Sequence, residues 1–277
     1  MRATPALYRA NFWARSYAEL KRTVNFVVTK EGITGAKKPF LLHSFNTPES
    51  VSDDLKTLSD QNIGGSSTSH VDWVGPTAES NYNAYARFHG NISRELPPDP
   101  KIMRTGYAAF RTRDRGPTIF GKSLWNMDPY AFLALRVKSD GRSYLVNIQT
   151  DGVVDTDLHQ HRLFVTRPGE WETVILKWND FVRTNYGFVV EPQMEMLKQK
   201  IKSIGIGLTD RVEGPYELCI EKIWATNRYD DLGVELPKHD RNSIESVNGH
   251  GDVGGSIPGG LKNKKGEHIQ WQGVARR

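Results

Sequence analysis

Gly106-Tyr-Ala-Ala-Phe-Arg-Thr-Arg113 and, further on, Leu135-Arg-Val-Lys-Ser-Asp-Gly-Arg-Ser-Tyr-Leu-Val-Asn-Ile-Gln149 read as successive β-strands. In 131–137, Leu133, Leu135 and Val137 fall on one face, with Phe132, Ala134 and Arg136 on the other. In 143–149, Tyr144, Val146 and Ile148 alternate with Leu145, Asn147 and Gln149. Successive strand side chains point to opposite faces, so this pattern predicts strands with one face in a core. The connector 138–142 contains Asp140-Gly141, which predicts a hairpin because Gly takes positive φ without strain. Arg136, Asn147 and Gln149 are polar residues on otherwise apolar strands, a placement that suits contact rather than chemistry.

Working outward, the chain from 40 to 226 is mostly strand-like: 40–46, 67–73, 82–90, 103–113, 131–137, 143–149, 160–166, 171–177, 201–209 and 215–225. Gly64-Gly65, Gly75-Pro76, Gly116-Pro117, Pro168-Gly169 and Gly214-Pro215 punctuate them. Many short strands with little helix predict an all-β sandwich or jelly roll. In 215–225, Tyr216, Leu218, Ile220 and Trp224 oppose Glu217, Cys219 and Glu221; in 204–208, Gly205 and Gly207 occupy a whole face, open to close approach by another layer or a partner. One short helix is expected near 192–200, starting at Pro192.

Charge divides the chain into three. Residues 1–39 carry eight Lys/Arg against two Glu, a net of +6; 227–277 carry eight basic and seven acidic residues, a net of +1. The remaining 21 basic and 23 acidic residues leave 40–226 at −2, which removes the electrostatic warrant for nucleic-acid binding by the core. In the leader, 1–39, Tyr8, Phe12, Trp13, Tyr17 and Leu20 cluster on about half of a helical wheel. This Arg-rich, acid-poor start has the composition of a mitochondrial transit segment, or of a retained helix that docks on something. Arg9, Phe12, Trp13, Arg15 and Arg22 are its expected membrane-approach residues: anionic lipid attracts each basic residue near its surface by roughly 1 kcal/mol. In the tail, 227–277, six glycines within 249–260 and few aliphatic residues predict mostly disordered chain.

Chemical motifs are weak. Gly249-His-Gly251-Asp-Val-Gly254 has dinucleotide-binding spacing but neither a strand before it nor a helix after it. Asp151, Asp155, Asp157, His159 and His161 are the densest set of metal-ligand types; their spacing fits neither an EF-hand nor a zinc signature, and a solvated acidic turn accounts for them better. No cofactor and no metal are expected. Cys219 lies on a face with Glu217 and Glu221, which disfavour a thiolate, and no Ser/His/Asp set assembles. Arg111, Arg113, Arg136 and Arg142 are surface guanidinium groups, or together the lining of a groove for an anionic partner.

A set of segments carries a resemblance. Ser59-Asp-Gln-Asn-Ile-Gly-Gly-Ser-Ser67, Ala86-Arg-Phe-His-Gly-Asn-Ile-Ser93, Gly106 to Arg113, Leu135 to Tyr144, Gly169-Glu-Trp-Glu-Thr-Val174, Trp178-Asn-Asp-Phe181, Ser203-Ile-Gly-Ile-Gly-Leu-Thr-Asp210 and Gly214-Pro-Tyr-Glu-Leu218 occur in the order of the complex I intermediate-associated protein family. The resemblance covers roughly 40–226 and implies a galactose-binding-like jelly-roll β-sandwich. It also implies a non-catalytic assembly factor in the mitochondrial matrix, peripherally associated with the inner membrane. Its partners would be membrane-arm assembly intermediates of complex I and other assembly factors, and Arg111, Arg113, Arg136, Asn147 and Gln149 are the expected partner-binding residues. The alternative is a carbohydrate-binding module, with Trp125, Trp73 or Tyr107 stacking on a pyranose beside Arg136, Asn147 and Gln149; fold alone does not license it.

Overall fold

In a computed structural model, the structure describes residues 12–80, 83–100, 102 and 104–227. The tail motif at 249–254 and leader residue Arg9 lie outside the described residues. Among the described residues one long helix, α1 (Phe12–Val28), and two single helical turns, Glu31–Thr34 and Glu49–Ser52, accompany thirteen strands. They are β1 (Phe40–Ser44), β2 (Leu55–Ser59), β3 (His70–Val74), β4 (Tyr85–Ile92), β5 (Ala108–Thr112), β6 (Phe132–Ser139) and β7 (Tyr144–Thr150), then β8 (Asp157–Arg162), β9 (Trp171–Lys177), β10 (Val182–Asn185), β11 (Phe188–Val189), β12 (Ile201–Leu208) and β13 (Gly214–Thr226). Every strand pairing is antiparallel. Sheet A runs β3-β4-β13-β6-β9, with β1 also on β13; sheet B runs β11-β10-β8-β7-β12-β5-β2. The all-β sandwich expected from the alternation is the fold observed.

The core lies between the inner faces. Leu133, Leu135 and Val137 of β6 with Leu218 and Ile220 of β13 meet Tyr144, Val146 and Ile148 of β7, Ile204, Ile206 and Leu208 of β12, and Phe110 of β5. Phe88, wholly buried, packs edge-on to Phe110 at 5.0 Å and stands 4.9 Å from Tyr216, joining both layers through aromatic contact.

Four sequence expectations are corrected. The Asp140-Gly141 turn does not close a hairpin: β6 pairs with β13 and β9 in sheet A, whereas β7 pairs with β12 and β8 in sheet B. A tight turn fixes a reversal, not which sheet receives the next strand. Trp224 does not share the face of Tyr216, Leu218 and Ile220. An irregularity between Ile220 and Lys222 flips the parity of β13, so Ile223 and Ala225 enter the core while Trp224 packs outside sheet A with Ala134, Leu41 and Ile175. Residues 192–197 form no helix, and only a one-turn 3₁₀ segment follows at Lys198–Lys200. There the Gln193 amide accepts from Arg183 N (2.8 Å) and donates to Arg183 O (3.0 Å), holding the segment against β10 as a strand would. Finally, β2, β10 and β11 were not anticipated; β10 and β11 close on Tyr186-Gly187, both at positive φ.

Buried His43 shapes the pH response. Its Nε2 lies 3.1 Å from Ser50 O, an acceptor, so Nε2 carries the ring proton; burial lowers its pKa to about 4, against a smaller opposing effect of that hydrogen bond. Unfolded chain regains the ordinary value of 6.5 and binds the proton first as pH falls. The contribution is therefore complete above 6.5 and is lost between 6.5 and about 4, amounting to about 3 kcal/mol. Urea midpoints measured across that window should fall with pH, and His43→Gln, which keeps a donor for Ser50 O, should flatten the slope. Equal slopes would reject this role.

Candidate functional site

The outer face of sheet B carries a cross-linked polar row. Register puts Arg111 of β5 and Asn147 of β7 on either side of Gly205 of β12, and Gln160 of β8 and Val182 of β10 continue the row. Gln160 Nε2 donates to Asn147 Oδ1 (2.8 Å), and Thr184 Oγ1 donates to Gln160 Oε1 (2.9 Å). One step along, Ser203 Oγ donates to Gln149 Oε1 (3.2 Å), and Gln149 Nε2 donates to Asp155 O (2.7 Å). Arg111 is held by Asp114 Oδ1 at 2.7 Å. The glycine strand leaves room for its neighbours: a Cβ at Gly207 would stand 2.9 Å from Asn147 Nδ2 of this network, and one at Gly205 would be 2.3 Å from the backbone oxygen Phe110 O.

The expected partner-binding residues divide. Arg111, Asn147 and Gln149 share this face. Arg113 sits past the end of β5, its Nε donating to Leu55 O (3.0 Å). Arg136 stands on the outer face of sheet A, opposite Lys222 and Thr173, because the 138–142 connection changes sheets. It cannot share a surface with Asn147. Arg142 lines no groove. Its Nε and Nη2 donate to both oxygens of Asp210 (3.0 and 2.7 Å), and its fork also reaches Val212 O, Gly214 O and Pro215 O. Burial works against ionisation of Asp210, yet the Arg142 hydrogen bonds hold its pKa below the usual value.

The expected membrane-approach residues of the leader also divide. Arg15 Nε donates to Pro117 O (3.2 Å), Ile119 N donates to Ser16 Oγ (2.9 Å), and Arg22 Nη1 donates to Leu124 O (3.2 Å). Thus Arg15 and Arg22 turn toward the domain, while Trp13 and Tyr17 are 70% and 68% exposed and Phe12 sits 5.4 Å from Trp13. The stripe was legible from helical spacing; the engagement of Arg15 and Arg22 with the domain was not.

Other chemical readings change on the structure. Trp125, fully buried, lies 4.4 Å under the Arg115 guanidinium and presents no face to a sugar; Trp73, half-buried, packs against the core with its Nε1 donating to Phe45 O (2.9 Å). Asp151 pairs with Lys122 and Asp157 with Arg183, and His161 packs against Phe181. Among the described residues no three His, Cys, Asp or Glu side chains gather as a metal site. Burial first, and Glu217 second, push the Cys219 thiol up to about 12, far from a nucleophile's range. No helix among the described residues is long and apolar enough to cross a membrane.

Comparison with known proteins gives a consistent result. The chain is 54% identical, over 98% of its length and 97% of the relative's, to "Complex I intermediate-associated protein 30, mitochondrial" of Neurospora crassa. It is 30% identical to the protein of that name from mouse over 62% of this chain, spanning about half (51%) of the mouse protein. A family 11 carbohydrate-binding module from Clostridium thermocellum in complex with β-1,3-1,4-mixed-linked tetrasaccharide superposes with TM-score 0.46 at 15% identity, over 69% of this chain and 97% of that one. The same module from cellulase Lic26A-Cel5E gives 0.48 at 14% identity, over 70% and 96%. The profile of the family described as Complex I intermediate-associated protein 30 matches residues 43–220, and the chain belongs to that family.

Proposed function

We propose that this protein is a non-catalytic assembly factor of mitochondrial respiratory complex I. On this reading it works in the matrix, binding a partial membrane arm and other assembly factors and touching the inner membrane peripherally. Family membership supports the complex I role. The observation that favours recognition over chemistry is the row Arg111–Asn147–Gln160–Thr184 with Ser203–Gln149. Asn147, Gln160 and Thr184 are locked to one another, Ser203 to Gln149, and Arg111 to Asp114, before any partner arrives, so binding costs little side-chain ordering. Its amide and guanidinium groups suit polar backbone and side-chain atoms of a protein partner, with Arg111 supplying charge.

Native electrophoresis of mitochondria with mass spectrometry of the gel slices tests this. The protein should peak with membrane-arm subunits at a size below the mature complex. A profile confined to the free monomer, or shared with the mature enzyme only, would reject the reading.

A further inference from the structure

We propose that the turn Thr118–Gly121 and the exposed side of α1 form one composite surface that beds into the headgroup–acyl boundary of an anionic bilayer. Ile119 and Phe120 are the wedge of that surface. The proposal deepens the peripheral membrane contact above and rests on it. The turn is tightly built: Thr118 N donates to Gly121 O (2.8 Å), Gly121 N donates back to Thr118 O (3.0 Å), and Thr118 Oγ1 also donates to Gly121 O (3.0 Å). Phe120 N donates to Thr118 Oγ1 (3.2 Å), which fixes the tip. At that tip two large apolar side chains, Ile119 and Phe120, are 62% and 61% exposed. A fold that spends four hydrogen bonds to hold two bulky apolar groups in water gains nothing for its own core.

The turn is fastened to the helix by Ile119 N to Ser16 Oγ and by Arg15 Nε to Pro117 O. At 100° per residue, Ser16 borders the run Trp13, Tyr17, Leu20, Val24, Val27 and Val28, all of them exposed. The wedge therefore adjoins an apolar stripe that a core-packed helix would turn inward. Charge selects the occupant. The sole acid of α1, Glu19, sits 3.8 Å from Arg22 on the domain side, while Lys21 flanks the stripe in solvent and Lys30 is exposed just past its end. Apolar side chains with Trp and Tyr, bordered by lysines, match the composition of helices that lie in a bilayer interface. A projecting two-residue wedge has no place in a heptad seam against a second helix.

Flotation of the full-length protein with phosphatidylcholine vesicles, with and without cardiolipin, tests this. Cardiolipin should promote binding. Ile119→Ser/Phe120→Ser should lower the partition coefficient about tenfold, from the apolar area withdrawn. Trp13→Ser/Leu20→Ser should do the same, and both variants should keep the wild-type melting temperature because the residues are exposed. Unchanged binding by the turn variant, with loss in the helix variant, would overturn the wedge and leave the leader as tether. Absence of vesicle binding, with co-migration lost in the turn variant, would overturn the bilayer in favour of a protein partner. Co-migration with a partial complex is measured separately, so the assembly reading stands or falls on its own.

Discussion

Asp60→Asn should cost about 3 kcal/mol or more of folding stability although it changes almost no volume, and Asp60→Ala should cost more. The carboxylate is wholly buried. It accepts from Ser67 N (2.8 Å) and Ser67 Oγ (2.7 Å) and from Gly106 N (2.6 Å). Ser67 Oγ, its proton turned to the carboxylate, in turn accepts from Ser93 N (3.0 Å). One acid thus joins the end of β2, the turn after it, the exit of β4 and the approach to β5. Gly65 makes room, since a Cβ there would lie 2.5 Å from Asp60 Cγ. An amide faces these donors with a donor of its own, and each stranded buried partner costs about 1–3 kcal/mol. For a domain of this size a melting temperature about 10 °C lower is expected. A shift under about 2 °C for Asp60→Asn would mean that the site is hydrated or adapts freely.

Arg142→Met is the second large effect, about 3–5 kcal/mol, because it leaves Asp210 charged and largely enclosed. The side chains of the pair are only 13% and 10% exposed. The pair ties together two of the chain crossings between the sheets: β6 to β7 carries Arg142, and β12 to β13 carries Asp210, Val212 and Gly214. Asp140 reinforces the junction by accepting from Glu217 N (2.8 Å) and Tyr144 Oη (3.1 Å). Arg142→Lys should recover little, since one ammonium cannot reproduce a bidentate fork plus three carbonyl contacts. Adding Asp210→Leu to Arg142→Met should restore part of the loss by removing the stranded charge. Strict additivity in that double-mutant cycle would show that the pair is uncoupled.

The alternating strands were legible because burial of one face imposes period two: β6, β7 and β12 could be read residue by residue, down to Asn147 and Gln149 facing outward. What depends on distant partners was not legible. The Asp140-Gly141 turn announces itself locally, but only the pairing of β7 with β12 and β8 shows that it crosses the sandwich. That crossing separates Arg136 from Asn147, which look like neighbours in the sequence. Trp224 changes face at an irregularity with no local signature. Helical spacing marked the apolar stripe of α1, and the usual rule would turn it inward. Contacts of Arg15, Ser16 and Arg22 with the 117–124 segment turn it outward instead. The wedge at Ile119-Phe120 passes in the sequence for an ordinary loop, since its exposure is set by hydrogen bonds across the turn.

Native-gel profiling becomes decisive when wild type is run beside Arg111→Glu/Gln149→Lys and, on the other sheet, Arg136→Glu. Loss of the protein from the fraction holding partial membrane arm in the first variant, with Arg136→Glu retained and both folded, is the outcome expected of a recognition surface on sheet B. Equal retention of all three proteins there would contradict it.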